Sequence, residues 1–271
     1  MMPAPATYHF PEVTLLVTHY NRSSSLERLL AAFRGLDCRF GDIVVSDDGS
    51  RPEHMEKVQA LQEAYGFRLV TTPVNKGLGN NLNKGQNAVQ TPLTLYVQED
   101  FTPAAVFPGH FKDALALMQR RPELDIIRFY AYFRYPYLRP AAQGFAEMRF
   151  RLWYPGYRKF YMYSDHPHLR RSGFLRKFGS YAEGVKGDVT EYRMMISFLR
   201  HKGKGLFYED YKSLFEQRNS ADEPSTMKRD YWRESGNPLV TALRHLYRHV
   251  RFNYDLLFIS FDTHDAADRK G

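Results

Sequence analysis

A chain of 271 residues, 43% hydrophobic and 25% charged, is long enough for one large α/β domain, and this composition excludes wholesale disorder. Its single cysteine, Cys38, excludes an internal disulfide and a Cys-rich zinc site and points to a reducing compartment, the cytosol. The net charge of +8 favours anionic partners (nucleotides, nucleic acid or phospholipid headgroups) without choosing among them.

Residues 1–11 are Pro-rich and not apolar, so no signal peptide is expected, and no uninterrupted apolar run is long enough to cross a bilayer. A first strand is predicted over Val13–Thr18, ending in His-Tyr-Asn-Arg. Ser24 and Glu27 then have capping-box spacing, and Leu26, Leu29, Leu30 and Phe33 give the following helix one buried face. The second strand, Ile43–Ser46, runs into Asp47-Asp48-Gly49-Ser50 and a helix with Met55, Val58 and Leu61 inward. A third strand, Phe67–Thr71, leads to the loop Asn75-Lys-Gly-Leu-Gly-Asn-Asn-Leu-Asn-Lys-Gly85. The fourth, Leu93–Val97, ends in Gln98-Glu99-Asp100. A helix over 107–119 and a strand over 125–129 complete the alternation, which predicts a parallel sheet with right-handed crossovers.

From Ala131 to Gly187 the pattern turns irregular and aromatic, as a sugar or acceptor cleft lined with amphipathic rings would be. A helix over 189–201 and a short strand over 206–208 follow. The stretch 239–261 mixes Arg244, Arg248 and Arg251 with Leu243, Leu246, Tyr247, Leu256 and Phe258. Such a basic amphipathic segment suits an anionic membrane surface, or equally a helix packed back on the protein.

Each strand of the first half is a short apolar run that stops in polar or acidic residues. In an open α/β sheet that puts them at the carboxyl ends of buried strands, where ligands bind. A carboxylate pair there suits a divalent cation carrying a phosphorylated substrate.

Taken together, Thr18-His-Tyr-Asn-Arg22, Ser46-Asp-Asp-Gly-Ser50, the Asn75-Lys-Gly77 loop and Gln98-Glu-Asp100 resemble a family-2 glycosyltransferase of the GT-A fold. The likeness is good over roughly residues 10–110 and loose over 180–220. It implies a Rossmann-like, mostly parallel central sheet flanked by helices, with an irregular acceptor region and a C-terminal helical extension. Residues 1–220 would form the transferase domain, its nucleotide-sugar half at about 10–110 and its acceptor half at 111–220. The extension would be 221–271.

The family transfers a sugar from a nucleotide diphosphate donor, usually with inversion, using Mg²⁺ or Mn²⁺. By resemblance, Thr18, Tyr20 and Arg22 lie against the nucleotide, and Asp47 meets the base with Asp48 beside it. A carboxylate can only accept, which suits the imide N–H of uracil or thymine, and hence a UDP- or dTDP-sugar. Lys76, Gly77, Gly79, Asn81 and Asn83 fall where the family approaches the donor, although helix capping would equally explain the two asparagines. Gln98 and Glu99 occupy the first two positions of an Asp-x-Asp type motif, so Asp100 is expected to ligate the metal and Glu99 to meet the ribose or to support the metal's ligands from behind. Gln217, or Arg218 facing phosphate, stands where many relatives have a metal-binding His. Glu191, with Asp188 as rival, matches the family's catalytic base at the start of a helix. His166 and His168 are expected in a surface or acceptor-cleft role rather than on a metal.

The implied acceptor is a glycan or lipid-linked sugar in surface polysaccharide synthesis, with peripheral contact to the inner membrane face through 239–261 and no nucleic acid. Two other classes compete. A sugar-nucleotide-forming nucleotidyltransferase would carry a Gly-rich, Arg-containing loop after the first strand, which Thr18–Arg22 lacks. A nucleic-acid binder is suggested only by charge and leaves the acidic strand ends unexplained.

Overall fold

The computed structural model describes residues 7–218 and 238–259. At its centre lie β1 (Tyr8–His19), β2 (Cys38–Asp47) and β4 (Leu93–Gln98), with β1 paired in parallel to both neighbours. Residues 13–19 of β1 are all buried, because helices cover both faces of the sheet. Each fully buried Leu or Val here contributes roughly 1.5–3 kcal/mol. β3 (Arg68–Val70) adds in parallel outside β2.

Beyond β4 the sheet departs from the expected parallel arrangement. β9 (His168–Arg171) inserts antiparallel between β4 and β6 (Ile126–Arg128), and β10 (Gly205–Tyr208) follows parallel to β6. An antiparallel hairpin, β7 (Leu138–Ala142) and β8 (Phe145–Met148), closes that edge, giving the order β3-β2-β1-β4-β9-β6-β10-β8-β7. All strands but β8 and β9 run the same way, so the sheet is mostly parallel.

The region 131–187 therefore holds more regular structure than its sequence suggests. The β7–β8 hairpin turns through Gln143 and Gly144, both at positive φ (57° and 77°), a geometry that Asn-Gly would have signalled and Gln-Gly hides. In β9, Leu169 enters one core while His168 and Arg170 point to the other face, so polar side chains mask a fully buried strand.

One face of the sheet is covered by α1 (Ser23–Gly35) and α4 (Phe107–Arg120), with α2 (Pro52–Tyr65) beside α1; Leu26, Phe33, Phe107 and Phe111 fill that core. The other face is covered by α3 (Leu78–Asn87), α5 (Phe174–Phe178) and α6 (Gly187–Arg200), through Leu82, Phe174, Met194 and Phe198. The capping box does not form. α1 starts two residues early, because the backbone N–H of Arg22 is held by His19, and Arg22 takes the N-cap position without a side-chain bond. Ser24 and Glu27 instead bind Lys57 of α2, at 3.1 Å and 2.9 Å.

Of the expected extension 221–271, one helix lies within the described residues: α7 (Pro238–Phe258), packed on α6 and on the short 3-10 turn Tyr157–Phe160. Phe252 enters the core. Residues 219–237 and 260–271 lie outside the described residues, and no described helix is long and apolar enough to cross a membrane. A two-stranded sheet joins β5 (Phe101–Pro103) to β11 (Phe215–Gln217), setting Gln217 opposite Phe101 and so beside Asp100.

Candidate functional site

The carboxyl ends of β1, β2 and β4 meet through a buried histidine. His19 Nδ1 donates to Asp47 Oδ1 at 2.8 Å, and Nε2 accepts the Arg22 backbone N–H at 3.2 Å. An N–H on one side and a carboxylate on the other fix the ring tautomer with the proton on Nδ1. Asn21, at φ 53°, clasps the next loop, donating its N–H to Ser50 Oγ and accepting from the Arg51 N–H, both at 2.8 Å.

Asp47 is wholly buried, and both of its oxygens are occupied. Ser50 donates from N (3.0 Å) and Oγ (2.5 Å), and the exposed Thr71 donates to Oδ2 at 2.9 Å. Burial works against the charge, but the bonds from His19, Ser50 and Thr71 outweigh it and hold the carboxyl well below the usual range. Thr71 Oγ1 also has the Thr72 carbonyl within 3.3 Å.

Asp48 receives the backbone N–H groups of Lys76 (2.8 Å) and Gly77 (2.9 Å), which pins the Gly-rich loop, while the Lys76 side chain is exposed. Gly77, at φ 87°, caps α3. A Cβ on Gly79 would stand 2.1 Å from the Ala182 carbonyl oxygen, so glycine is required there by the backbone leading into α6. Neither asparagine caps a helix. Asn81 joins Ser46 Oγ (2.7 Å) to the His19 carbonyl (3.2 Å), and Asn83 holds Tyr181 N (2.8 Å) and O (3.0 Å) and Glu183 (2.8 Å). Lys84 of α3 reaches the Asp47 carbonyl; burial lowers its pKa, opposed by the nearby carboxylates of Asp48 and Asp47.

At the tip of β4, Arg22 Nη1 lies 3.4 Å from both Glu99 Oε1 and Asp100 Oδ2. Burial, and then the charge of Asp100, push Glu99 up to about 7. Gln217 donates to Asp100 Oδ2 at 2.8 Å and accepts the Tyr132 hydroxyl at 3.0 Å, leaving Asp100 Oδ1 buried and without a hydrogen-bond partner among the described residues. Arg218 donates its backbone N–H to the Asp100 carbonyl at 2.8 Å, but its guanidinium faces Glu216. Thr18 and Gln98 sit side by side in register, Thr18 Oγ1 lies 3.0 Å from the Tyr96 hydroxyl, and Tyr20 is half-buried just beyond β1.

One open carboxylate oxygen among cations and amides is what a hard divalent ion needs from a protein when substrate phosphates and water complete its shell, so Asp100 fits Mg²⁺ or Mn²⁺. The remaining ligands would come from elsewhere than a protein cluster, since no group of three or more His, Cys, Asp or Glu gathers among the described residues. The Gln217 amide oxygen, its one atom able to bind such an ion, accepts the Tyr132 hydroxyl on one of its two lone pairs.

The same sheet edge continues from β4 past β9 to β6. Glu191, in the first turns of α6, accepts the Asp165 backbone N–H at 3.1 Å, with Asp188 half-buried one turn before it. Burial raises the Glu191 pKa, and the neighbouring Arg128 counters it. Arg128, itself buried, is held by the Tyr161 carbonyl (2.6 Å) and Ser164 (2.5 Å). His166 is half-buried between Tyr130, Tyr132 and Phe101, where burial and then Arg128 push its pKa down to about 3. His168 is fully buried within β9 against Tyr96, so the expected surface or cleft position does not hold for it.

The motif residues thus converge on one edge, with Asp47 joined to the Glu99–Asp100 tip through His19 and Arg22. A separate cavity of about 700 Å³ lies at the opposite edge, lined by Gln86, Asp125, Arg171, Arg176 and Lys177 and by none of the motif residues. Sequence reasoning passed over His19, Lys84, Tyr132 and Asp165. His19 lies inside the Thr18–Arg22 motif, whereas Asp165 and Tyr132 sit in a region without periodicity.

A family model described as glycosyl transferase family 2 matches residues 14–183. The fold resembles TarS 1–349 from S. aureus, at TM-score 0.59 and 15% identity, over 90% of this chain and 72% of that one. It also resembles the mannosyltransferase PcManGT from Pyrobaculum calidifontis, solved with GDP-Man and Mn²⁺ (TM-score 0.51, 14% identity, 92% and 65% of the two chains). A third likeness is to glucosyl-3-phosphoglycerate synthase from Mycobacterium tuberculosis, solved with Mn²⁺, UDP and glucosyl-3-phosphoglycerate (TM-score 0.51, 12% identity, 92% and 81%). No curated protein sequence shows a significant match. The fold is that of GT-A glycosyltransferases. Since the family model spans well over half of its length, the chain belongs to glycosyl transferase family 2.

Proposed function

We propose that the chain is an inverting glycosyltransferase that moves a sugar from a UDP- or dTDP-sugar to a hydroxyl of a glycan or lipid-linked acceptor, in surface polysaccharide synthesis. The carrying observation is Asp100, whose Oδ1 is the unpartnered carboxylate oxygen at the tip of β4, flanked by Arg22, Glu99 and Gln217. Solved neighbours that hold UDP, UDP-GlcNAc or Mn²⁺ support this donor class. Asp100 would hold Mg²⁺ or Mn²⁺, which would supply charge stabilisation to the departing diphosphate.

The chain's own residues then divide the work. Thr18, Tyr20, Gln98 and Glu99 bound the nucleoside and ribose. Asp47 Oδ2 opens to the imide N–H of the base when Thr71 turns to the Thr72 carbonyl, while Asp48, Gly77, Asn81 and Asn83 hold the loop that approaches the donor. Gln217 orients Asp100. Arg22 and Lys76 offer positive charge to the diphosphate. Glu191 takes the proton of the acceptor hydroxyl as that oxygen bonds the anomeric carbon, and the bond from that carbon to the diphosphate breaks with its electron pair leaving on phosphate. Asp188, at the start of α6, is the alternative base.

In this reading residues 1–220 are the catalytic domain, and 221–271 carry it to a cytoplasmic membrane face. On α7, Leu243, Leu246, Tyr247, Val250, Tyr254, Leu257 and Phe258 are each more than half exposed at helical spacing, with Arg244, Arg248 and Arg251 along one flank. Calorimetry with a panel of nucleotide sugars, with and without Mn²⁺, tests the donor. Uridine or thymidine diphosphates should bind with Mn²⁺, and Asp100→Ala should abolish the Mn²⁺-dependent part. A chain that binds no nucleotide diphosphate under either condition overturns the proposal.

A further inference from the structure

Asp165 is only 5% exposed and lies where β9 enters the sheet edge. Its Oδ1 accepts the Tyr163 hydroxyl at 2.5 Å; that hydroxyl meets Tyr181 at 2.5 Å, and Tyr181 accepts Arg170 Nη1 at 2.5 Å. Arg170 is fully buried and held by Gln86 at 2.9 Å. Asp165 Oδ2 is buried with no hydrogen-bond partner. The same residue's backbone N–H is the bond that holds Glu191 Oε1.

We propose that Asp165 is the positioning residue of the acceptor-side base: its N–H fixes Glu191 Oε1 so that Oε2 faces the acceptor, and its carboxyl, wired through Tyr163 and Tyr181 to Arg170, forms one two-carboxylate unit with Glu191. This rests on the reading of Glu191 as base. Two carboxyl groups on residues joined by one backbone hydrogen bond in an enclosed site do not both ionise readily, so the proposed unit shares a single proton. Burial first, and then the charge of Glu191, raise the Asp165 carboxyl. Glu191 is the better anion of the two, since it accepts the Asp165 N–H, faces Arg128 of β6 and is less enclosed. The other ionisable groups facing the pair are Asp188 on α6, Tyr96 on β4, and His166 and His168 beside Arg128 and Arg170. In the proposed unit Asp165 holds the shared proton, which leaves Glu191 to receive one from the acceptor.

The test reads stability and turnover separately, in the full chain. A carboxyl with a raised pKa contributes stability that is present at acid pH and lost as pH rises towards its folded value. The melting temperature of wild type relative to Asp165→Asn should therefore fall between pH 5 and pH 9, by about 2–4 °C for each kcal/mol. In a Glu191→Gln background the fall should move to lower pH, because the neighbouring charge is gone. Asp165→Asn, which imitates the protonated acid, should keep turnover within a few-fold at neutral pH. Asp165→Ala should lower kcat at least about tenfold with donor KM unchanged. A stability difference that is flat in pH, or unmoved by Glu191→Gln, overturns the unit even if the alanine variant fails to fold, and so does an alanine variant with wild-type kcat. Full activity in Glu191→Gln would instead remove the base assignment, and with it the part of Asp165 in catalysis, while leaving the stability coupling measurable.

Discussion

The two halves of the proposed site, for donor and for acceptor, carry their charged groups in different places. Under the donor half, the buried runs of the strands carry no charge and the ionisable groups begin where the strands end: His19 and Asp47 close β1 and β2, and Glu99 and Asp100 follow β4. Under the acceptor half, polar groups run through the sheet itself, as His168 and Arg170 occupy β9 and Arg128 ends β6. Asp47 has its bonds filled, whereas Arg128 Nε, Asp165 Oδ2, His168 Nε2 and Arg170 Nη2 are buried without partners. A buried unsatisfied group costs about 1–3 kcal/mol. Asp100 Oδ1 carries the same cost on the donor side, so each half gives up stability at a group kept for the proposed chemistry, while the filled bonds of Asp47 hold the donor loops in place.

The comparison breaks most sharply at Glu191. Glu191→Gln keeps the size and the Asp165 contact but removes the base, so kcat should fall roughly 10²–10⁴-fold while donor affinity stays near wild type. Steady-state kinetics with calorimetry separates the two, and a loss of donor binding would place Glu191 in the donor half instead. On the other side, Gln217→Ala removes the amide that orients Asp100 and should weaken Mn²⁺ affinity about 10–100-fold with little change in melting temperature. Manganese titration followed by calorimetry reads it directly.

The same contrast explains what was legible in the sequence. Val13–Thr18, Ile43–Ser46 and Leu93–Val97 announce themselves because a strand buried on both faces must be continuously apolar. Their polar endings then give the positions of Asp47, Asp48 and Asp100. β9 is buried over His168–Arg170, yet His-Leu-Arg-Arg carries no apolar signal, because its polar side chains are held by partners such as Gln86 that are distant in sequence. The Tyr132–Gln217 bond and the β5–β11 pairing are invisible for the same reason. The capping box misled because local spacing carries no information about His19 taking the Arg22 N–H. Glu191 was reached by resemblance; its tie to Asp165 was not.

Smaller effects test the rigidity of the donor half. Asp47→Ala leaves His19 Nδ1–H buried without its acceptor, at a cost of about 1–3 kcal/mol. The sign with pH follows from the depressed carboxyl: the stabilisation is present above the unfolded value near pH 4 and lost as pH falls through the lower folded one. Wild type and Asp47→Ala should therefore differ in urea titrations at pH 7 and converge as the solution is made strongly acidic. A gap that persists unchanged into acid would mean that packing, not the charged bonds, is what Asp47 supplies.

The smallest change in stability is expected where the chain has most apolar surface in solvent. Val250 and Leu246 stand 60% exposed on α7, while Phe252, on the opposite face, is 7% exposed against the core. Leu246→Ser with Val250→Ser should therefore move the unfolding free energy by no more than about 0.5 kcal/mol per site, since neither side chain is packed. If this stripe serves an anionic bilayer, the same pair should reduce co-sedimentation with phosphatidylserine vesicles several-fold, and salt should reduce it further through Arg244, Arg248 and Arg251. Destabilisation well beyond that bound would show that the stripe is covered within the chain, and would return α7 to the domain core instead of the membrane.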